Sequence, residues 1–328
     1  MPEVRQDLLL KHRVIFAPER AARPFEHRST ANLQPLSRCP FCVGHEELTS
    51  PAVLELPAIE PANPSKWGVR VVPNLYPALS SSPTASRASL HPLAEAGVGQ
   101  HEVIIEAPHH ATSMASLSLG QFEIVAESYR QRMTAIRRAG HAQHISIFKN
   151  EGASAGASLE HVHSQLIATP FVADAVTRMS TAAAGYFSAS NTCFFCDAMR
   201  SELEQSERIV LANDDFVCWC PFASRFAAEM CLMPRQHRSC FDDLDDAELK
   251  KFAFSLCECL IKLQRVMPQV SYNFVIHTAP FADANSSHFH WHLQIMPRVM
   301  GLAGFEVGAG CHINIMLPEV AAAALRSV

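Results

Sequence analysis

The chain has 328 residues, with 27 Lys plus Arg against 32 Asp plus Glu and a formal net charge of -5. At roughly 150 residues per domain this length points to two domains, and the near-balanced charge excludes a strong global field for nucleic acid or an anionic membrane. No stretch approaches the roughly 18 apolar residues of a membrane span, and Met1 to Lys11 lacks the apolar core of a secretory signal, so a cytoplasmic protein with neither membrane nor nucleic-acid partners is expected.

Eleven Cys and 17 His stand out in this composition. An odd cysteine count without an export signal argues for reduced thiols, some of them metal-bound, over a disulfide framework. In chain order, the pair Cys39-Pro-Phe-Cys42 comes first, followed by a Ser-, Ala- and Pro-rich stretch, Ser80 to Gly99, that reads as a mobile surface loop. An extended apolar segment, Val103 to Ala107, ends in Pro108, His109 and His110. Phe122, Val125, Tyr129, Met133 and Ile136 then recur at helical spacing. A strand over Ile145 to Phe148, a small-residue loop and the motif His161-Val-His163-Ser-Gln165 complete this half. Residues from Phe171 to Asn191 read as an irregular connection.

The same order then repeats. Cys193-Phe-Phe-Cys196 is followed by Glu229 to His237, ending in Pro and His, and by a helix through Leu249, Phe252, Leu256, Leu260 and Leu263 with Asp245 or Asp246 as its cap. A strand over Tyr272 to Ile276 and the motif His290-Trp-His292-Leu-Gln294 follow. His110 and His161 are 51 positions apart, and His237 and His290 are 53 apart. Agreement in both order and spacing predicts an α+β protein of two copies of one unit, residues 1–188 and 189–328. Each copy is expected to be an antiparallel β-sheet with a helix packed on it, because strands flank a single long helix.

Zinc takes four tetrahedral N or S ligands, and a Cys-x-x-Cys turn supplies two thiolates. The repeat supplies two quartets, Cys39, Cys42, His110 and His161, and Cys193, Cys196, His237 and His290, so two zinc ions per chain are expected. His109 and His288 are the competing ligands. A redox pair is the alternative for either Cys-x-x-Cys, although no helical pattern starts at Phe41 as such a pair would require. The other seven cysteines, Cys218, Cys220, Cys231, Cys240, Cys257, Cys259 and Cys311, read as small buried hydrophobes.

Strand residues two apart share a face, so His161, His163 and Gln165 project together. With His161 held by metal, the neighbouring imidazole of His163 is a candidate nucleophile, and Gln165 can donate its amide to an oxygen of the group attacked. The preceding run, Phe148 to Ser158, contains Gly152, Gly156, Ser154 and Ser158 and suits an anion. A phosphoryl target attacked by imidazole gives a phospho- or nucleotidyl-histidine. The second copy's loop, His277 to Ser287, has no glycine and carries Pro280 and Asp283, so His292 reads as a relic or an accessory contact.

The order Arg20-Ala-Ala-Arg23-Pro24, Cys39-x-x-Cys42, Val72 to Leu79, Asn150-x-Gly152 and Gly156-Ala-Ser158 before His161-x-His163-x-Gln165 resembles the galactose-1-phosphate uridylyltransferase family. That family is the transferase branch of the histidine triad superfamily, so the resemblance implies two tandem histidine-triad-like domains. It extends to Gly304-Phe-Glu-Val-Gly-Ala-Gly310 and looks closest to the plant ADP-glucose phosphorylase type. It implies ping-pong transfer of a nucleoside monophosphate from a nucleotide sugar through a covalent histidine. His163 would be the nucleophile and Gln165 the phosphate-binding glutamine. Asn150, Gly156 and Ser158 would contact phosphate, Asn74 would lie near the nucleoside, and Arg20 and Arg23 would face phosphate groups. The same resemblance supports both zinc quartets and favours a homodimer.

A sugar 1-phosphate acceptor would make the enzyme uridylyltransferase-like; inorganic phosphate would make it an ADP-glucose phosphorylase. Water as acceptor gives a hydrolase, and a zinc-stabilised nucleotide-binding protein without catalysis is the reading from another class. Departures from the uridylyltransferase pattern are Val162 in place of Pro between the histidines, Leu75 in place of a nucleoside-side Asp, and Leu302 to Phe305 in place of a Lys-Phe segment. His292 departs from the plant type, whose second copy has lost that histidine.

Overall fold

The computed structural model describes residues 2–22, 39–59, 66–81 and 96–328. The elements run β1 (Glu3–Gln6), β2 (Arg13–Phe16), β3 (Leu54–Leu56), β4 (Val69–Pro73), β5 (Gln100–Ile105), α1 (Leu119–Ala139), β6 (His144–Glu151), β7 (His163–Thr169), α2 (Asp174–Ser190) and α3 (Phe194–Gln205). They continue with β8 (Ile209–Ala212), β9 (Phe216–Trp219), β10 (Met230–Pro234), α4 (Asp246–Val266), β11 (Tyr272–His277), β12 (His292–Pro297), α5 (Gly304–Ala309), β13 (His312–Asn314) and α6 (Pro318–Arg326).

The two predicted helices are α1 and α4, each 21 residues long. Ser118 caps α1 by accepting the Gln121 N–H, and Gly140 ends it in the left-handed region at φ 74. Asp245 rather than Asp246 caps α4, in a reciprocal capping box with Glu248. Residues 171–191 are not irregular as expected, since Asp174–Ser190 forms α2. Only Ser180 and Ala183 of that helix are buried, so it has no apolar stripe of the kind that marks α1 and α4.

The two copies do not keep separate sheets. Their strands merge into one ten-stranded sheet in the order β3-β4-β5-β7-β6-β11-β12-β10-β9-β8. The seam is the antiparallel pair β6 and β11, with Asn150 opposite Asn273 and Phe148 opposite Val275. Reading outward from that seam, β6-β7-β5-β4-β3 mirrors β11-β12-β10-β9-β8, which is the symmetry the sequence repeat demands. A small sheet of β1, β2 and β13 joins the two ends of the described chain.

Strand alternation gives the large sheet two working faces. One buries Val69, Val71, Ile104, Ile145, Ile147, Leu166, Leu232, Phe274, Ile276, Leu293 and Ile295 with the inner sides of α1 and α4 in one apolar cluster. On the other face, Val72, Val103 and Ile105 pack with Cys39, Phe41 and Trp67, and Val217, Trp219, Cys231 and Met233 pack with Cys193 and Phe195. The helices α1 and α4 therefore cover one face of the sheet, while the first cysteine turn covers the other face in the first copy and the second cysteine turn, with Met199 of α3 and Ala183 of α2, covers it in the second. Among the described helices none is long and apolar enough to cross a membrane.

Candidate active site

The first quartet is assembled from three distant segments. In Cys39, Cys42, His110 and His161, one ligand atom from each residue lies within 4.8 Å of the others. The Cys39 Sγ and Cys42 Sγ atoms stand 3.5 and 3.6 Å from His161 Nδ1, and Cys42 Sγ stands 3.6 Å from His110 Nδ1. A tetrahedron with Zn–S near 2.3 Å and Zn–N near 2.05 Å has S···N edges of about 3.6 Å, so the donors fit zinc. His161 Nε2 donates to the Ala107 carbonyl at 2.8 Å, which leaves Nδ1 as the unprotonated ligand atom. The second quartet, Cys193, Cys196, His237 and His290, is equally close. Cys196 Sγ lies 3.4 Å from Nδ1 of both His237 and His290. His109 and His288 lie outside both clusters. The second cysteine pair opens α3, whereas the first sits in a turn with no helix.

His163 begins β7 on the cysteine-turn side of the sheet and is 6% exposed. Its Nδ1 donates to the His161 carbonyl at 2.7 Å, so in the neutral ring the lone pair is on Nε2. Burial lowers its pKa, opposed by that hydrogen bond, and the ring is neutral at pH 7. Phe41, from inside the first cysteine turn, packs edge-on against it with ring centroids 5.3 Å apart.

Beneath His163, on the helix side, lies a polar group that the sequence reading missed. Glu106 is fully buried and accepts from Lys149 Nζ at 2.5 Å, from Tyr129 Oη at 2.9 Å and from Ser164 Oγ. Lys149 Nζ also donates to the His163 carbonyl at 3.1 Å. One carboxylate and one ammonium neutralise each other there, and three donors satisfy the carboxylate. Matching strand registers put Pro234, Leu256, Ile276 and Leu293 at the corresponding places of the second copy. The available signal was Lys149 itself, a charge on the same alternation as Ile145 and Ile147.

Before the motif, the chain makes a short 3-10 turn, Ala153–Ala155, between Gly152 at φ 82 and Gly156 at φ 87. A side chain at Gly152 would also clash with Ser271, so glycine is required here twice over. Asn150 Oδ1 accepts from Asn273 Nδ2 at 2.8 Å, and the same Nδ2 donates to the Ala155 carbonyl at 2.8 Å. The second copy thus braces the first copy's loop through Asn273, a residue that belongs to no sequence motif. Ser158 and Ser154 are exposed at this loop.

Gln165 and Asn74 meet through His101, which sequence reasoning also missed. His101 Nε2 lies 2.8 Å from Gln165 Oε1 and 3.1 Å from Asn74 Nδ2. Arg20 is exposed on the short helix Pro18–Ala22, and no described contact joins it to His163. Arg23 and most of the loop from Ser80 to Gly99 lie outside the described residues. Of the seven remaining cysteines six are buried and Cys311 is partly so.

Comparison with known proteins places this arrangement. The family model for the N-terminal domain of galactose-1-phosphate uridyl transferase matches residues 2–173, and that for its C-terminal domain matches residues 180–328. The chain belongs to the galactose-1-phosphate uridylyltransferase family. It is 34% identical to ADP-glucose phosphorylase of Arabidopsis thaliana, over 100% of this chain and 93% of that protein. It is 28% identical to galactose-1-phosphate uridylyltransferase of Thermotoga maritima, over 99% and 98% of the two chains. A crystal structure of an Arabidopsis thaliana ADP-glucose phosphorylase with bound ADP-glucose superposes with a TM-score of 0.85 at 33% identity, covering 100% of this chain and 99% of that one. These uridylyltransferase-family relatives are nucleotidyl-transferring enzymes. The α+β fold of two tandem family domains agrees with the sequence expectation.

Proposed function

We propose that this protein moves a nucleoside monophosphate from a nucleotide sugar to a phosphate acceptor through a covalent bond to His163. The observation that carries the reading is the His163 Nδ1 donation to the His161 carbonyl, which leaves Nε2 as a neutral, fixed nucleophile. In the first half-reaction Nε2 attacks the α-phosphorus, the P–N bond forms, and the bond to the bridging oxygen breaks. Sugar 1-phosphate leaves with that electron pair. Gln165, Asn150, Ser158 and the backbone around Gly156 hold the phosphoryl oxygens and stabilise the added charge. Asn74 lies toward the nucleoside, and Arg20 and Arg23 serve phosphate groups. In the second half-reaction an acceptor oxygen attacks phosphorus and the P–N electron pair returns to Nε2.

Two zinc ions per chain belong to this reading, bound by the two quartets. Zinc there is structural, since four protein donors close each tetrahedron. The division is a catalytic unit, residues 1–188, and a second unit, 189–328, that braces it.

The acceptor is a sugar 1-phosphate in the uridylyltransferase reading. The second reading, ADP-glucose with inorganic phosphate as acceptor, is supported by the 34% identity to an ADP-glucose phosphorylase and by the likeness to the ADP-glucose-bound structure. Isotope exchange between each nucleotide sugar and its sugar 1-phosphate, with no other acceptor, tests ping-pong transfer. Exchange with ADP-glucose and turnover by free phosphate supports the phosphorylase; exchange with UDP-glucose and turnover by galactose 1-phosphate supports the uridylyltransferase. No exchange with either overturns the reading.

A further inference from the structure

Gln165 is useful to a phosphoryl group only if its NH2 end, and not its carbonyl, faces that group. An amide on a freely turning side chain presents either end, so some neighbour must choose. In β5, Val103 pairs with Gln165, and in β10, Cys231 pairs with Gln294. The residues two places earlier are therefore structural counterparts: His101 in the first copy and Glu229 in the second.

At His101 the ring tautomer is determined by backbone. The Ala78 N–H donates to His101 Nδ1 at 3.0 Å, and a backbone N–H can do nothing else. A neutral imidazole carries one N–H hydrogen, so with Nδ1 accepting it resides on Nε2. Nε2–H then donates to Gln165 Oε1 at 2.8 Å, which occupies the carbonyl end and leaves the NH2 group free. Asn74 Oδ1 accepts from the Tyr76 N–H at 2.8 Å, so its Nδ2, 3.1 Å from His101 Nε2, meets another donor. That approach is a contact without a hydrogen bond, and it leaves the Asn74 NH2 group available to ligand as well.

At Glu229 the polarity is opposite. Its Oε1 accepts from Gln294 Nε2 at 2.5 Å. Gln294 Oε1 in turn takes Arg225 Nη2 at 2.9 Å and His277 Nε2 at 3.2 Å. Both ends of this amide are consumed, and its NH2 group points at the carboxylate.

We infer that His101 is a positioning residue whose Nε2–H fixes the amide of Gln165 with its NH2 group toward the phosphoryl site, and that the acceptor Glu229 at the matching place reverses the amide and disarms the second copy. The inference rests on the proposed nucleotidyl transfer.

The test compares His101→Gln, His101→Leu and His101→Glu, each alone and in a Gln165→Met background, in the full-length zinc-loaded protein. The main readout is the single-turnover rate of adduct formation from ADP-glucose or UDP-glucose labelled at the α-phosphate, whichever the wild type uses. His101→Gln keeps a donor and should lose no more than about threefold. His101→Leu should lose about tenfold, and His101→Glu about 100-fold, the scale of one lost donor to a developing negative charge. KM, zinc content and thermal midpoint should stay near wild type. In the Gln165→Met background the three variants should agree within about threefold, because no amide remains to be turned. Equal rates for His101→Gln and His101→Glu would overturn the inference. So would a full cost of His101→Glu without the amide, since charge repulsion alone would then explain it. A wild type that forms no adduct overturns the proposed reaction instead. The side-chain amide resonance of Gln165 then serves as readout: on addition of AMP it should move in the wild type and stay still in His101→Glu, and movement in both would refute the positioning role.

Discussion

Phe41 and His163 are in edge-on contact, their ring centroids 5.3 Å apart. Phe41 lies between Cys39 and Cys42, so the residue that buttresses His163 is held by the first cysteine turn. The second copy pairs the corresponding rings, with Phe195 against His292 at 5.1 Å, but tilted at 34° rather than edge-on. The Cys/His quartet and the proposed nucleophile are thus one mechanical unit, joined by a phenyl ring as well as by the His161 backbone.

Phe41→Ala should therefore damage catalysis without removing metal. Phe41 is 9% exposed, and truncation of a buried Phe costs about 3 kcal/mol. Denaturant unfolding should show that loss, and adduct formation should slow at least about tenfold while zinc per chain is unchanged. Wild-type rates in a destabilised variant would separate the ring from the chemistry.

The two quartets should differ in consequence. Cys42→Ser and Cys196→Ser are each expected to lower the zinc content from two ions to one per chain, since the loss of one ligand weakens a four-donor site. Only Cys42→Ser should also abolish the covalent adduct. Metal analysis beside a labelling assay checks both.

The buried pair Glu106 and Lys149 predicts a non-additive mutant cycle. Lys149→Met strands a fully buried carboxylate and should cost about 3–5 kcal/mol. The double variant Glu106→Leu/Lys149→Met should recover much of that loss, because the second copy folds with Pro234 and Ile276 at the same places. It should not recover the catalytic rate, since the donor to the His163 carbonyl is gone. Chemical denaturation of the four proteins measures the coupling.

Gly152→Ala should be worse than a glycine substitution in an open turn. The added Cβ clashes with Ser271 and the alanine must adopt φ 82, so a stability loss of at least about 1 kcal/mol is expected. Because the strain falls where the loop meets β11, labelling should fall with it. Gly156→Ala, with φ 87 but open space around its Cβ, should be the milder change in unfolding experiments.

The readable parts of this protein are those where chemistry demands a residue type at a fixed interval. Cys39, Cys42, His110 and His161 could be grouped because zinc restricts its ligands and the repeat supplied the set twice. The apolar spacing of α1 and α4 was legible because each buries one stripe. The helix α2 was not, because its buried face is reduced to Ser180 and Ala183. Fusion of the copies into one sheet depends on which edges meet, and β6 and β11 carry no residue pattern that names a partner. His101, Lys149 and Asn273 escaped notice for a related reason. A lone polar residue on a strand reads as solvated until the fold shows what it faces: Lys149 faces the buried Glu106, and His101 and Asn273 face the partly buried amides of Gln165 and Asn150.

The most direct test is the location of the covalent intermediate. After brief exposure to ADP-glucose or UDP-glucose labelled at the α-phosphate, the wild-type chain should carry acid-labile label, and peptide mapping should find it on His163. His163→Ala should carry none, while His292→Ala should label like the wild type. Label that persists in His163→Ala, or that maps to His292, would contradict the account.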